Sequence, residues 1–429
     1  MRCNKIKDSK TYQMVKWMFI WCVGFFVLLG ACSEKNDLGE IDFLNIEGDS
    51  LLNEVFEHAE KYEVQIRYVQ INRDEDGVAE LVPYEFRVDS SAYFYPASSA
   101  KMPVAFLALE KLNQLYKQNI DVDFNTALEI DAERVPPQTA VLYDSSSIDF
   151  RASIGHYIHK LFLVSDNDAY NRLYEFVGPE AINKEMRSKG IFRNSRIVHR
   201  LSAPAFNEEE NRHTNSFRFF DGERTVYSQP AQYMEAWSFE KLKNTSKGRG
   251  YINGNNDLVS EPFDFSNKNF IALRDLQESL ISVIMQDGKL DLRAEDYQLL
   301  YKSMSMYPGE SLAPIYEGEQ IFDSSVKYFM FGDTKESIPE HIRIFNKIGG
   351  AYGYLTDCAY IVDFKNNIEF FLAATIHVNS NQVFNDDQYE YNEVGIPFLA
   401  ALGRKFYEYE LGRTRNKIPD LSRFKMVYK

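Results

Sequence analysis

The chain has few of the residues that build metal sites and disulfide frameworks. Its 429 residues include 4 cysteines and 7 histidines. Cys3, Cys22 and Cys32 all fall in the first 32 residues, which leaves Cys358 alone in the body of the chain. A single thiol excludes an intrachain disulfide framework, and no Cys/His cluster has zinc-site spacing. We therefore expect no metal and no cofactor.

Positive charge is also scarce. The chain has 48 Lys and Arg residues against 63 Asp and Glu residues, a formal net charge of -15. Such a surface repels phosphate backbones, so nucleic acid is not an expected partner. No G-x-S-x-G motif occurs, which argues against a classical Ser-His-Asp hydrolase. With 45% hydrophobic residues, the chain nevertheless has ample material for a large globular core.

The first 31 residues are typical of a bacterial signal peptide. A basic start is followed by an apolar run from Trp17 to Leu29, which is short for a membrane span. The run ends in Leu-Gly-Ala-Cys32, which resembles the lipobox of bacterial lipoproteins; a simple membrane anchor is the alternative. The lipobox predicts a lipid on Cys32, a tether over residues 32–54 and attachment to a membrane through that anchor. The protein would lie in the bacterial cell envelope, on the periplasmic or cell-surface side of a membrane that the sequence does not specify.

The body is predicted to form one domain over residues 55–415, followed by a tail at 416–429. Strand patterns lie near both ends, at 62–72, 83–89, 341–346, 357–364 and 368–378. Helical patterns lie mostly between them, at 102–112, 151–164, 168–178, 180–189, 271–286, 294–305 and 395–411. Tight C-terminal connections indicate antiparallel pairing. The predicted fold class is therefore α/β (α+β), an antiparallel sheet flanked by helices, with an inserted all-helical lobe. The polar segment 203–262 is predicted to be a loop or insertion.

A serine and a lysine one helical turn apart form the first candidate motif, Ser98-Ser-Ala-Lys101. It opens an apolar stretch that predicts a buried helix, and residues at i and i+3 share one helix face. Burial lowers the pKa of a lysine, so its neutral amine can take the proton of Ser98 and activate that hydroxyl as a nucleophile. Alone the motif is weak, because Ser238–Lys241 and Ser324–Lys327 have the same spacing.

Two further motifs follow along the chain. Ser165-Asp-Asn167 precedes a helical stretch, where it either caps a helix or relays a proton and holds a substrate amide. Lys347-Ile-Gly349-Gly350 follows a predicted strand and is either a glycine turn or a place where a substrate approaches the strand backbone. In the second case, a main-chain N–H there and the N–H of Ser98 form an oxyanion hole. Together and in this order, the three motifs indicate one active site.

The ordered motifs resemble those of class A β-lactamases and related penicillin-binding proteins. Lys101-Met-Pro103 and the segment from Ser165 to Leu173 are also similar to that family. So is the strand at Lys347 with the hairpin and last helix that follow it. The resemblance covers roughly residues 55–411, with a gap at 203–262. It implies a β-lactamase/transpeptidase-like fold.

The resemblance also implies a role for each motif residue. Ser98 would attack a carbonyl and form an acyl-enzyme, Lys101 would accept its proton, and Ser165 would pass a proton to the leaving nitrogen. Substrate binding is implied for Asn167, Lys347, Gly349 and Gly350. The N–H groups of Ser98 and Gly350 would form the oxyanion hole.

Two departures from the family pattern bear on the activity. Ile348 replaces a hydroxyl residue, which removes a partner for a substrate carboxylate. Glu208, Glu209 and Glu210 lie where class A enzymes carry the glutamate that activates the deacylating water, but they do not match that loop pattern. The deacylating base therefore stays open, and three adjacent carboxylates are more typical of a solvated loop.

Three functions fit the sequence. The leading one is a class A β-lactamase type of serine hydrolase, which hydrolyses β-lactam amide bonds through an acyl-serine intermediate. The second is a D-alanyl-D-alanine carboxypeptidase or transpeptidase, for which the partner is a D-alanyl peptide instead of a β-lactam. The third, suggested by Ile348 and the segment 203–262, is a non-catalytic binding lipoprotein on the same fold.

Overall fold

The computed structural model describes residues 38–235, 239–316 and 321–428. Its centre is a five-stranded antiparallel sheet. From one edge to the other, the strands are β10 (Ile342–Ala351), β11 (Tyr354–Asp363), β12 (Ile368–His377), β1 (Gln65–Arg73) and β2 (Ala79–Phe86). Both terminal regions supply strands, as the sequence predicts. Every residue of β11 is buried, so the sheet is covered on both faces, which explains the continuous apolar runs.

Two apolar cores cover the two faces of this sheet. The first and last of the described helices pack on one face, and the six between them pack on the other. The helices are α1 (Ser50–Glu57), α2 (Lys101–Lys117), α3 (Ile154–Leu163), α4 (Asn167–Val177), α5 (Pro179–Ser188), α6 (Leu273–Met285), α7 (Ala294–Ser305) and α8 (Ile396–Gly412). In the described part of the chain, none of them is both long and apolar enough to cross a bilayer.

The chain packs against the domain from Leu38 onward. Ile41 and Leu44 are buried in the core beneath α8, and α1 follows with Leu52 in the same core. The carboxylate of Asp49 caps α1 by accepting the Leu52 N–H at 3.0 Å. The tether predicted over 32–54 is therefore wrong for residues 38–54, because their apolar side chains belong to the core. The predicted signal peptide and Cys32 lie outside the described residues.

The segment 203–262 is not an irregular loop, because it contains the hairpin β4 (Ser216–Asp221) and β5 (Arg224–Gln229). This hairpin extends β3 (Ala127–Asp131) into a three-stranded antiparallel sheet, so the inserted lobe is not all helical. Phe217 and Phe219 alternate inward and pack on Phe176 of α4, which fixes the register.

Short strands complete the structure, and the last residues also pack. Strand pairs form among β6 (Ser246–Lys247), β7 (Gly250–Ile252), β8 (Leu258–Val259), β9 (Phe263–Asp264) and β13 (Val383–Phe384). Beyond the predicted boundary at 415, Phe424 is buried against Phe345 and Tyr360 of the sheet. The tail predicted at 416–429 therefore contributes to the domain core.

Candidate active site

Ser98 lies in a tight turn that leads directly into α2. The turn is a 3₁₀ helix over Ala97–Ala100, in which Ser98 is the only residue that is not buried. Ala97 has a φ of 46°, a left-handed conformation that is uncommon for a residue with a side chain. The N–H and hydroxyl of Ser99 both donate to the Pro96 carbonyl, at 3.0 and 2.7 Å, and hold the turn. The local sequence thus presents one serine hydroxyl at the start of a buried helix.

The side chain of Lys101 is fully buried beneath the second motif. Its Nζ donates to Asn167 Oδ1 at 2.7 Å, to Ser165 Oγ at 3.2 Å, to Asp166 O at 3.3 Å and to Ser165 O. These four bonds go to the second motif and not to Ser98. Burial lowers the pKa of Lys101 to about 7, although the nearby Asp166 carboxylate opposes the shift. The amine is therefore poised to gain or lose a proton near neutral pH.

Lys347 reaches the same serine hydroxyl from the sheet. Its Nζ donates to Ser165 Oγ at 2.8 Å and to Ile348 O at 2.9 Å. Burial, and secondly the positive charge of Lys101, hold the pKa of Lys347 well below its usual value. Two lysines on one hydroxyl repel each other when both are charged, so the site favours a state in which one amine is neutral.

The second motif both caps a helix and builds the site. The Asp166 carboxylate accepts the Ala169 N–H at 2.8 Å and caps α4. Ser165, with a φ of 58°, and Asn167 face the lysines on either side of that cap. Asn167 Nδ2 also donates to Ser202 Oγ at 3.0 Å. The helix-cap interpretation is therefore correct for Asp166, and the functional interpretation of Ser165 and Asn167 stays a prediction.

The third motif lies inside a strand rather than after one. The predicted strand 341–346 continues to Ala351, because Gly349 and Gly350 still pair with Thr356 and Leu355 of β11. A Cβ on Gly349 would lie 2.3 Å from Pro96 O and 3.1 Å from Ser98 N. Gly349 thus admits the backbone of the Ala97–Ala100 turn, and its expected role in substrate binding stays a prediction. Gly350 is exposed on β10, the edge strand of the sheet, where outward backbone groups have no strand partner.

A buried polar network under Ile348 is not evident from the sequence. Lys327 Nζ donates to Asn346 Oδ1 at 2.6 Å, and Asn346 Nδ2 donates to Asp357 Oδ1 at 2.7 Å. The other oxygen of Asp357 accepts the backbone N–H of Tyr328 at 3.0 Å. Burial lowers the pKa of Lys327 to about 7 and raises that of Asp357 to about 6. The Ser-x-x-Lys spacing of Ser324 and Lys327 does mark a buried lysine. That lysine, however, donates to Asn346.

The three adjacent glutamates have partners outside the lysine cluster. Glu210 pairs with Arg134 at 2.7 Å, and Glu209 pairs with Arg212 at 3.0 Å. Glu208 accepts a hydrogen bond from Asn267 Nδ2 at 3.3 Å. The structure therefore gives none of them a hydrogen bond to Ser98, Lys101 or Ser165.

A cleft of about 1020 Å³ is lined by chain neighbours and by one hydrogen-bond partner of the motif residues, and by none of the motif residues themselves. Tyr95, three residues before Ser98, lines it, and so does Tyr352, two residues after Gly350. Ser202 also lines it and links it to Asn167 through the hydrogen bond described above. The cleft is large enough for a drug-sized ligand.

Comparison with known proteins gives one family match. The model of the Beta-lactamase enzyme family matches residues 49–242. The predicted family resemblance is confirmed. The segment matched to the β-lactamase family contains Ser98, Lys101, Ser165 and Asn167, whereas the third motif lies beyond it. The expected α/β fold of antiparallel sheet and helices is confirmed as well.

Solved β-lactamase structures are similar to this chain at low identity. The chromosome-encoded β-lactamase of Vibrio parahaemolyticus is 13% identical, with 84% of this chain and 98% of that chain covered and a TM-score of 0.47. A class A β-lactamase from Mycobacterium abscessus has 13% identity, the same two coverages and a TM-score of 0.43. A β-lactamase from Sphaerobacter thermophilus has 13% identity, coverages of 85% and 98%, and a TM-score of 0.43. No curated protein gives a significant match.

Proposed function

We propose that this protein is a serine hydrolase of the class A β-lactamase type, which hydrolyses β-lactam amide bonds through an acyl-Ser98 intermediate. The observation that carries the proposal is the convergence of two buried lysine amines on one hydroxyl. Lys101 and Lys347 lie 3.2 and 2.8 Å from Ser165 Oγ, although they come from a helix and a strand far apart in the chain. Such a constellation supports proton transfer between a nucleophile and a leaving nitrogen.

Acylation follows from these groups. Ser98 Oγ attacks the amide carbonyl carbon as its proton passes to the neutral amine of Lys101. The N–H groups of Ser98 and Gly350 stabilise the resulting oxyanion. The C–N bond then breaks, and the leaving nitrogen takes the proton of Ser165 Oγ. A protonated lysine in turn donates a proton to Ser165 Oγ. Water later attacks the ester carbonyl carbon, the bond from that carbon to Ser98 Oγ breaks, and a proton of the water returns to Ser98 Oγ.

A D-alanyl-D-alanine carboxypeptidase or transpeptidase is the second candidate. The observation that favours it is the pairing of Glu209 and Glu210 with arginines, which leaves both engaged away from the motif residues. Without a carboxylate beside the ester, water is activated poorly and the acyl-enzyme lives long. The acylation chemistry of the two candidates is the same, so the lifetime of the adduct distinguishes them.

To test the proposal, a protein that lacks the first 32 residues is incubated with a penicillin. Mass spectrometry then detects an adduct, and an activity assay measures turnover. A short-lived adduct on Ser98 with turnover supports the β-lactamase, and a long-lived adduct supports the peptidase. We expect Ser98→Ala and Lys101→Ala to abolish the adduct. Ser324→Ala is the matched control, because it removes the serine of another Ser-x-x-Lys sequence, and it should acylate normally. If the wild-type protein forms no adduct with β-lactams or acyl-D-alanyl substrates, both enzymatic candidates fail. A non-catalytic binding protein would then be the remaining function.

We further propose that a lipid on Cys32 holds the domain at a membrane of the bacterial cell envelope, on its periplasmic or cell-surface side. The lipobox-like sequence supports this, and packing of the domain from Leu38 onward leaves only a short connection to Cys32. Cys32→Ser should move the protein from the membrane fraction to the soluble fraction after cell lysis. Unchanged membrane retention of that variant would contradict lipid anchoring.

A further inference from the structure

We infer that the cleft lined by Tyr95, Ser202 and Tyr352 binds a carboxylate carried by the acyl group of the substrate, through two cations of its wall, Arg196 and Lys268. This inference rests on the proposed function and adds a substrate class to it. It comes from the distribution of charge in the cleft.

Two cations in the wall of this cleft have no acidic partner. Arg196 is 6% exposed; its guanidinium donates to two neutral carbonyls, Lys268 O at 3.2 Å and Ser266 O at 2.6 Å, and lies 5.6 Å from the centre of the Phe239 ring. Lys268 itself is half-buried. Among the described residues, no carboxylate forms an ion pair with either side chain. Burial lowers the pKa of both groups.

Other arginines of the same cleft differ in this respect. Arg200 pairs with the buried Glu175 at 2.7 Å, and Arg212 pairs with Glu209 at 3.0 Å. The acidic residues that line the cleft, Glu208 and Glu240, are both exposed, so solvent screens their charges. The uncompensated charge in the less solvated part of the wall is therefore positive, and an anionic ligand group would satisfy it.

The position of the cleft indicates which part of a substrate enters it. Asn167, which is expected to hold the substrate amide, donates to Ser202 Oγ, and Ser202 is part of the cleft wall. The group on the far side of that amide therefore continues past Ser202 into the cleft. Tyr95 and Phe206 add aromatic surface there, which suits an apolar arm between the amide and the carboxylate.

Two penicillins with the same nucleus test this inference. One carries a neutral phenylacetyl side chain, and the other carries the same side chain with an added α-carboxylate. We expect the wild-type protein to be acylated at Ser98 about tenfold more efficiently by the carboxylated compound, the size expected for a charge-assisted hydrogen bond. Arg196→Met and Lys268→Met should each reduce this preference to near unity, with the rate for the neutral compound retained. Arg196→Lys should keep part of the preference.

Lys241→Met is the matched control, because Lys241 is an exposed cation that lines the same cleft. Loss of this lysine should change the preference for the carboxylated compound by no more than about twofold from that of wild type, since solvent screens an exposed charge. Equal acylation of wild type by both compounds would overturn the inference and leave the proposed function intact. If neither compound acylates Ser98, the proposed function fails. In that case, calorimetry measures how tightly each compound binds to the Ser98→Ala variant. The inference requires tighter binding of the carboxylated compound, and equal binding of the two compounds would overturn it.

Discussion

Replacement of Gly349 by alanine would add one methyl group where β10 touches the Ala97–Ala100 turn. The new Cβ would lie 2.3 Å from Pro96 O and 2.8 Å from Ser99 N, whereas ordinary contacts begin at 3.4 Å. Both neighbours are backbone atoms, so no side chain can rotate away. The strand and the turn would have to separate by about 1 Å, because a close-packed interior offers no free volume.

This separation should affect acylation more than folding. Ser98 is in the turn that would move, and its own N–H lies 3.1 Å from the same Cβ position. A misplacement of about 1 Å at a reacting group costs on the order of 10²-fold in rate. Overpacking of a core contact costs typically 1–3 kcal/mol in stability. We therefore expect Gly349→Ala to remain folded but to acylate about 100-fold more slowly, as measured by rapid-quench mass spectrometry of the Ser98 adduct and by urea unfolding.

Two other glycines serve as comparisons. Gly254→Ala should have no effect, because no atom lies within 4 Å of its Cβ position. Gly350→Ala, on the same strand, should have a smaller effect than Gly349→Ala, because its Cβ would meet the flexible end of Leu355 at 3.1 Å and the backbone N–H is kept. A folded Gly349→Ala protein that acylates at the wild-type rate would refute the structural role assigned to this glycine.

Three further predictions concern protonation and packing. The acylation rate should fall about tenfold per pH unit below pH 7, because Lys101, with a pKa of about 7, is then protonated and cannot accept the proton of Ser98; a flat profile from pH 5.5 to 8 would contradict this. Leu52→Ala should lower the free energy of unfolding in urea by about 2–5 kcal/mol, since Leu52 is fully buried, and no change would mean that α1 does not dock. Asp357→Asn should cost about 3–5 kcal/mol, because it leaves the charge of Lys327 buried without compensation, and adding Lys327→Met should restore part of that loss in a double-mutant cycle.

The elements that the sequence predicts best have local start and stop signals. The patterns at 151–164, 168–178 and 180–189 correspond to helices Ile154–Leu163, Asn167–Val177 and Pro179–Ser188. Ser153 and Asp166 cap the first two through their side chains, and Gly178 separates the last two. These signals are short-range, so they can be read without knowledge of the fold.

The elements that the sequence does not reveal depend on distant partners. The hairpin Ser216–Gln229 is polar on one side, and its inward phenylalanines become a pattern only when Phe176 packs on them. The length of β10 is hidden by its glycines, and the need for Gly349 comes from the close approach of the distant Pro96 carbonyl. Asp357 also depends on distant partners. Its role is not visible in the sequence, because the groups that donate to it, Tyr328 N–H and Asn346 Nδ2, come from two other segments.

The charge chemistry of the site follows from how the second motif folds. Because Asp166 caps α4, the carbonyls of Ser165 and Asp166 are turned toward Lys101 instead of continuing a helix. With the oxygens of Ser165 and Asn167, they give the buried ammonium four acceptors for three protons. The hydrogen bonds of the charged form are thus satisfied, although burial desolvates it and lowers its pKa to about 7. A neutral amine has only two protons and one lone pair. Loss of a proton therefore frees that lone pair, which can turn to the hydroxyl of Ser98 or of Ser165 and carry a proton from one to the other.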